Sequence, residues 1–81
     1  MSGQVTIYST SWCGYCHRLK SQMTREGIAW AEIDIELDSE AAEFVMNANS
    51  GNSTVPTVTY PDGTTATNPS IHDVKAKLAT M

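Results

Sequence analysis

Two cysteines with two residues between them, Cys13-Gly14-Tyr15-Cys16, are the residues of this 81-residue chain whose types and spacing most directly suggest chemistry. As a staple the pair is weak. Closing so small a loop removes roughly 2 kcal/mol of chain entropy, against about 3 for a 15-residue loop, and strain takes part of that away. Two cysteines are also too few for a secreted disulfide scaffold. Reversible thiol chemistry and half of a metal site remain. A metal needs two further ligands, and the soft or borderline candidates are His17 and His72. His17 follows Cys16 directly, and adjacent helical positions point about 100° apart. His72 has no partner at i+3 to i+5. Both histidines read as surface residues, and no metal site is expected.

Thiol exchange needs one sulfur that attacks as thiolate and a neighbour able to displace what it captures. Val5 and Ile7 alternate with Thr6 between Gln4 and Ser9, which predicts a strand ending just before the cysteines. From Tyr15, Leu19 and Met23 recur at four-residue spacing and Glu26-Gly27 supplies a stop, so a helix starts at the motif. At a first helical turn the unpaired N–H groups point outward and the dipole is positive, which stabilises a thiolate at Cys13 and makes it the expected nucleophile. Cys16 lies one turn further on the same side, within disulfide reach, and is expected to be the more buried, resolving thiol. A stabilised thiolate is also a good leaving group, so a second thiol can release what Cys13 has captured.

Other residues invite weaker readings. Pro56 opens a run with no N–H to donate and leaves the backbone of Val55 open to a guest. Trp12 and Tyr15 flank the thiols; an aromatic in a small domain is more often core, but a loop and a first turn are not core positions, and exposure there favours ligand contact. Glu32, Asp34 and Glu36 alternate with apolar residues and read as a solvated strand face rather than paired carboxylates. Met23 and Met46 read as core fillers.

These residues must be positioned by the rest of the chain. Trp30 to Ile35 alternates again, so strand, helix and strand succeed one another as in a right-handed parallel crossover. Asp38 or Ser39 caps a second helix with Ala41, Phe44, Val45 and Ala48 on one stripe. Thr57 to Tyr60 and Thr64 to Ala66 flank the turn residues Pro61-Asp62-Gly63 and predict a hairpin. Asn68 as cap and Pro69 as first helical residue predict a last helix with Ile71, Val74 and Leu78 inward. The order is βαβαββα, one α/β domain over residues 1–81. Hydrophobic residues at 41% and charged residues at 17% exclude disorder, and nine acids against five bases, net −4, disfavour nucleic acid. No apolar run reaches the roughly 20 residues of a membrane span, and no basic, apolar leader opens the chain, so a cytoplasmic location is expected.

Thr10-Ser11-Trp12-Cys13-Gly14-Tyr15-Cys16, Thr54-Val55-Pro56 and the βαβαββα order together resemble the thioredoxin superfamily, specifically the glutaredoxins. More narrowly, Trp12 to Cys16 with Ala42-Glu43-Phe44-Val45, Thr54 to Val58, Asp62-Gly63 and Thr67-Asn68-Pro69-Ser70 is similar to the mycoredoxins, mycothiol-dependent glutaredoxin relatives of actinobacteria. The resemblance implies a four-stranded mixed sheet flanked by three helices and a thiol–disulfide oxidoreductase. It implies a cis Pro56 facing the thiols and Val55 backbone groups holding the cysteine moiety of the substrate. Thr54, Thr67 and Asn68, with Trp12 and Tyr15, complete the implied binding site. Cys13 would take mycothiol from a protein–mycothiol mixed disulfide and a second mycothiol would release it, so Cys16 is not strictly required. Mycothiol is then a reducing co-substrate, NADPH enters through a separate reductase, no cofactor is tightly bound, and the chain acts as a monomer.

Glutaredoxins usually carry a lysine three residues before the first cysteine and a Gly-Gly pair after the last strand; here Thr10 and Thr67-Asn68 stand there. Both changes weaken an anion site, which disfavours anionic glutathione against uncharged mycothiol, although Arg18 and Lys20 remain as compensating cations. Two other functions fit the resemblance. One is a dithiol electron donor reduced by thioredoxin reductase, which would need Cys16; such redoxins carry Trp-Ser-Gly-Phe where this chain has Thr67-Asn68-Pro69-Ser70. The other is an iron–sulfur module bridging two protomers.

Overall fold

Alternation along β1 (Val5–Ser9) sends Val5, Ile7 and Ser9 to one face of the sheet, where each is at most 1% exposed. The structure is a computed structural model that describes residues 4–80. β1 lies inside the sheet, parallel to β2 (Trp30–Asp34) on one side and antiparallel to β3 (Thr57–Thr59) on the other. β4 (Thr65–Thr67) pairs antiparallel with β3, giving the order β2-β1-β3-β4. The sheet is therefore mixed, as expected, with Ser9 at the end of its central parallel pair, opposite Asp34.

Helix α1 (Gly14–Arg25) is the crossover from β1 to β2 and buries Cys16, Leu19 and Met23. Glu26 caps it and Gly27 follows at φ 74°, a left-handed conformation that suits a residue without Cβ. Helix α3 (Ile71–Ala79) shares that face of the sheet, so Val5, Ile7, Leu19, Met23, Val58, Tyr60 and Val74 form one core cluster with Ile71 and Leu78 at its edge. Helix α2 (Ser39–Ala48) covers the opposite face, where Ile35, Ala41 and Val45 pack with Tyr8, Ile33 and Val55. Two helices on one face and one on the other form a three-layer α/β domain core.

Three local expectations are corrected. Asn68 does not cap α3. Its φ is 47°, and Ser70 takes the cap, with its hydroxyl accepting from the Asp73 amide at 3.0 Å and its amide donating to the Asp73 carboxylate at 3.2 Å. Pro69 thus precedes the helix and is buried. The stripe of α2 is narrower than the periodicity suggests: Phe44 is 40% exposed with its ring 5.0 Å from that of Tyr8, and Ala48 is exposed. Glu32 is not merely solvated, because it shares the α1 face of the sheet with Trp30 and contacts Lys20 and Ser9. A periodic pattern reports which residues repeat; what lies above them is decided by the partner element.

Met23 is fully buried at the centre of the main cluster, so Met23→Ala removes both transfer energy and packing. Urea unfolding of this variant is expected to show a loss of about 2–5 kcal/mol. At the hairpin turn, Lys77 and Thr64 hold the Asp62 carboxyl down to about 2 from its ordinary 3.8. A depressed native value contributes stability above 3.8 that disappears as pH falls through about 2, so Asp62→Asn is expected to flatten the acid limb of a stability–pH curve across that interval.

Candidate active site

Because β1 stops at Ser9 and α1 starts at Gly14, the chain crosses from sheet to helix in four residues and delivers Cys13 as the N-cap of α1. The Cys13 sulfur accepts a hydrogen bond from the Cys16 amide at 3.1 Å, the place a serine or aspartate oxygen occupies at an ordinary N-cap. One otherwise orphaned helical N–H therefore points at the sulfur, and no acidic residue stands in the first turn to oppose a negative charge there. Cys13 is 4% exposed and Cys16 is fully buried, and both thiols are free. Burial, then the hydrogen bond with the Cys13 side chain, pushes the Cys16 thiol up to about 12, while the Thr10 backbone and the Lys20 charge pull the other way. Two identical side chains one turn apart are thus in different electrostatic settings.

The second wall comes from the segment entering β3. Val55-Pro56 is a cis peptide, as the resemblance implies, and the Val55 carbonyl accepts from the Cys13 thiol at 3.8 Å. Pro56 is buried, Val55 half-buried and Thr54 exposed. Asn68, at the far end of β4, donates its amide to the Pro56 carbonyl at 2.7 Å, which pins the two segments together. Trp12 and Tyr15 are 69% and 65% exposed, so neither is a core residue. The Trp12 indole donates to a Glu36 carboxylate oxygen at 3.0 Å, and the His17 ring donates to the Ser11 carbonyl at 2.9 Å. Next to Tyr15 a groove of about 330 Å³ runs between α1 and the entry to α3, lined by Arg18, Gln22, Asn68, Ser70 and His72.

The glutaredoxin family model matches residues 5–64, which include both cysteines and the cis-proline segment. The chain belongs to the glutaredoxin family. A glutaredoxin of Mycobacterium tuberculosis is 58% identical over 78 residues, covering 96% of this chain and 93% of the relative. Mycoredoxin 1 of Corynebacterium glutamicum is 47% identical over 77 residues, covering 95% of each. Among solved structures, the NrdH-redoxin of Escherichia coli superposes with a TM-score of 0.68 at 28% identity, over 80% of this chain and 82% of that one. This glutaredoxin is accordingly a thiol–disulfide oxidoreductase with a mixed, four-stranded sheet and three helices.

The residues singled out by sequence do not all meet around Cys13 in the same way. Val55 touches it directly, and Asn68 acts on the site through its backbone. Thr67 turns its hydroxyl to the Asn49 side-chain carbonyl. Thr54 uses its carbonyl to accept from the Thr57 hydroxyl at 2.8 Å. Asn49 was not visible as a site residue: its amide donates to the Val45 carbonyl at 2.8 Å and to the Thr57 hydroxyl at 3.1 Å, tying the end of α2 to β3 and β4. A lone asparagine at a helix end signals only a stop, so its role arises from the elements that converge on it. Thr10 is a second surprise, for its hydroxyl is buried and without a partner.

The setting of Cys16 has a measurable consequence. An unfolded thiol ionises near 9.0 and the native one near 12, so the protonated native form is disfavoured relative to the unfolded chain as pH rises through that interval. Stability is therefore expected to be complete below 9.0 and to decline towards about 12, and Cys16→Ser should make this alkaline decline shallower in pH-dependent urea unfolding.

Proposed function

We propose that this glutaredoxin reduces mixed disulfides between proteins and mycothiol by a monothiol mechanism in which Cys13 is the nucleophile. The asymmetry of the two cysteines carries the reading: one sulfur accepts a helical amide at the rim of the site, and the other is fully buried and kept protonated. The Cys13 thiolate attacks the mycothiol sulfur of the mixed disulfide, the Cys13–mycothiol bond forms, and the target leaves as thiolate. A second mycothiol thiolate then attacks the captured mycothiol sulfur, giving mycothiol disulfide and regenerating Cys13. A separate NADPH-dependent reductase restores mycothiol, which acts as co-substrate rather than as a bound cofactor.

Backbone groups of Val55 hold the cysteinyl part of the substrate, with Pro56, Trp12 and Tyr15 bounding it and Thr54, Thr67 and Asn68 shaping the surrounding loops. The choice of mycothiol is supported by the likeness to Mycoredoxin 1 and by the absence of a lysine at position 10. The groove beside Tyr15 offers Gln22, Asn68 and Ser70 as neutral hydrogen-bonding side chains, which suits hydroxyl groups of a sugar-linked thiol.

Reduction of a small mixed disulfide by wild type, Cys13→Ser and Cys16→Ser, with mycothiol or glutathione and the matching reductase, tests the proposal. Cys13→Ser is expected to be inactive and Cys16→Ser to retain turnover with mycothiol and not with glutathione. Loss of activity in both variants, with thioredoxin reductase alone sustaining wild type, would replace the proposal by a dithiol electron donor.

A further inference from the structure

The monothiol cycle leaves Cys16 idle, yet charged and polar side chains are ordered around it. Cys16 and Lys20 stand one turn apart on the same side of α1. The Lys20 side chain is 15% exposed, its ammonium lying 6.0 Å from the centre of the Trp30 ring and 2.6 Å from a Glu32 carboxylate oxygen. That same oxygen accepts from the Ser9 hydroxyl at 2.5 Å. Ser9 is buried at the end of β1. Strand β2, helix α1 and the end of β1 thus each contribute one group to a Glu32–Lys20–Ser9 cluster whose cation stands one helical turn from Cys16. The charged or titratable groups acting on Cys16 are Cys13 and Lys20, and those acting on Glu32 are Lys20 and His17.

We propose that the Glu32 carboxylate, by pairing with Lys20 and cancelling the cation beside Cys16, decides which thiol resolves the mixed disulfide on Cys13. The inference rests on the proposal above that Cys13 carries that disulfide. In one outcome an external thiol attacks and Cys16 stays protonated. In the other Cys16 gives its proton to solvent, its thiolate attacks the Cys13 sulfur, an internal Cys13–Cys16 disulfide forms, and the captured thiol leaves as a thiolate that takes up a proton. The two-electron balance is unchanged, because one disulfide is exchanged for another. An unpaired Lys20 cation favours the second outcome by stabilising the Cys16 thiolate, and a paired one favours the first. Glu32 and Lys20 are positioning residues here, since neither meets the substrate.

Stopped-flow reaction of the reduced full chain with dithiobis(nitrobenzoate) separates the steps. Attack by Cys13 releases one coloured thiolate, and attack by Cys16 on the resulting mixed disulfide releases a second. Glu32→Gln preserves shape and an acceptor for Ser9 while removing the charge. It is expected to accelerate the second release about threefold near neutral pH and to move its pH profile down by about half a unit, leaving the first release unchanged. Lys20→Met is expected to slow the second release and move its profile up. Because the two charges act on the Cys16 sulfur additively, the Lys20→Met, Glu32→Gln double variant is expected to return the second release to about the wild-type rate. A second release that changes less than twofold in Glu32→Gln, or that stays as slow in the double variant as in Lys20→Met, overturns the inference. Absence of the first release in wild type would instead overturn the role given to Cys13, so the two failures are distinguishable. If Glu32→Gln does not fold by circular dichroism, Lys20→Met decides alone: a second release as fast as in wild type overturns the inference.

Discussion

The position of β1, hydrogen-bonded on both sides, constrains everything around the thiols. Its parallel pairing with β2 obliges the chain to cross over through α1, so the start of that helix sits where the strand ends. Its antiparallel pairing with β3 brings the chain that enters β3, Val55-Pro56, to the same end of the sheet. Cys13 therefore lies between a helix start and a strand entry, with the Cys16 amide on one side and the Val55 carbonyl on the other. Ile7, fully buried, anchors this strand between α1 and its neighbours. The chemistry at the rim depends on packing one strand-length away.

That wall opposite the thiols is held by polar contacts as well as by the packing of Val55 against Ile35, Ala41 and Val45. Asn49 gathers Val45, Thr57 and Thr67, and the Asn68 amide meets the Pro56 carbonyl, so a short hairpin and the end of α2 are locked to the same loop. Buried or half-buried backbone groups are costly when unpaired, which makes these contacts part of what keeps Val55 facing Cys13. The main core does a different task. It fixes α1 against the sheet through Leu19 and Met23, so the N-cap geometry at Cys13 is set before any substrate arrives.

The electrostatics follow from the same placement. The sulfur at the helix start accepts a helical amide, whereas the sulfur one turn inside is desolvated and kept neutral. Two carboxylates of the acidic surface, net −4, are themselves engaged: Glu32 with Lys20 and Ser9, and Glu36 with Trp12. Lys20 holds the Glu32 carboxyl below its ordinary value, with Ser9 assisting, so it remains an anion through neutral pH. Two thiols of one motif are thereby given unlike settings by burial and by the partners of a single turn of helix.

Much of this was legible in the amino-acid order. The CxxC spacing, the alternation of β1 and β2, the four-residue spacing of Leu19 and Met23, and the proline at the entry to β3 are local signals, and each rests on backbone periodicity or on the missing N–H of proline. They specified the element order and which cysteine should be outermost. Local signals could not show that Ser70 rather than Asn68 caps α3, because both are good capping residues and the Pro56 carbonyl claims the Asn68 amide. Nor could they give Asn49 its three partners, or pair Glu32 with Lys20 across 12 positions of sequence. The sequence by itself determined the periodic elements and the reactive pair, since those depend on neighbours a few residues apart. Only the tertiary structure decided which polar groups meet, because a hydrogen bond or an ion pair requires an approach of about 3 Å that sheet order and helix packing alone can bring about.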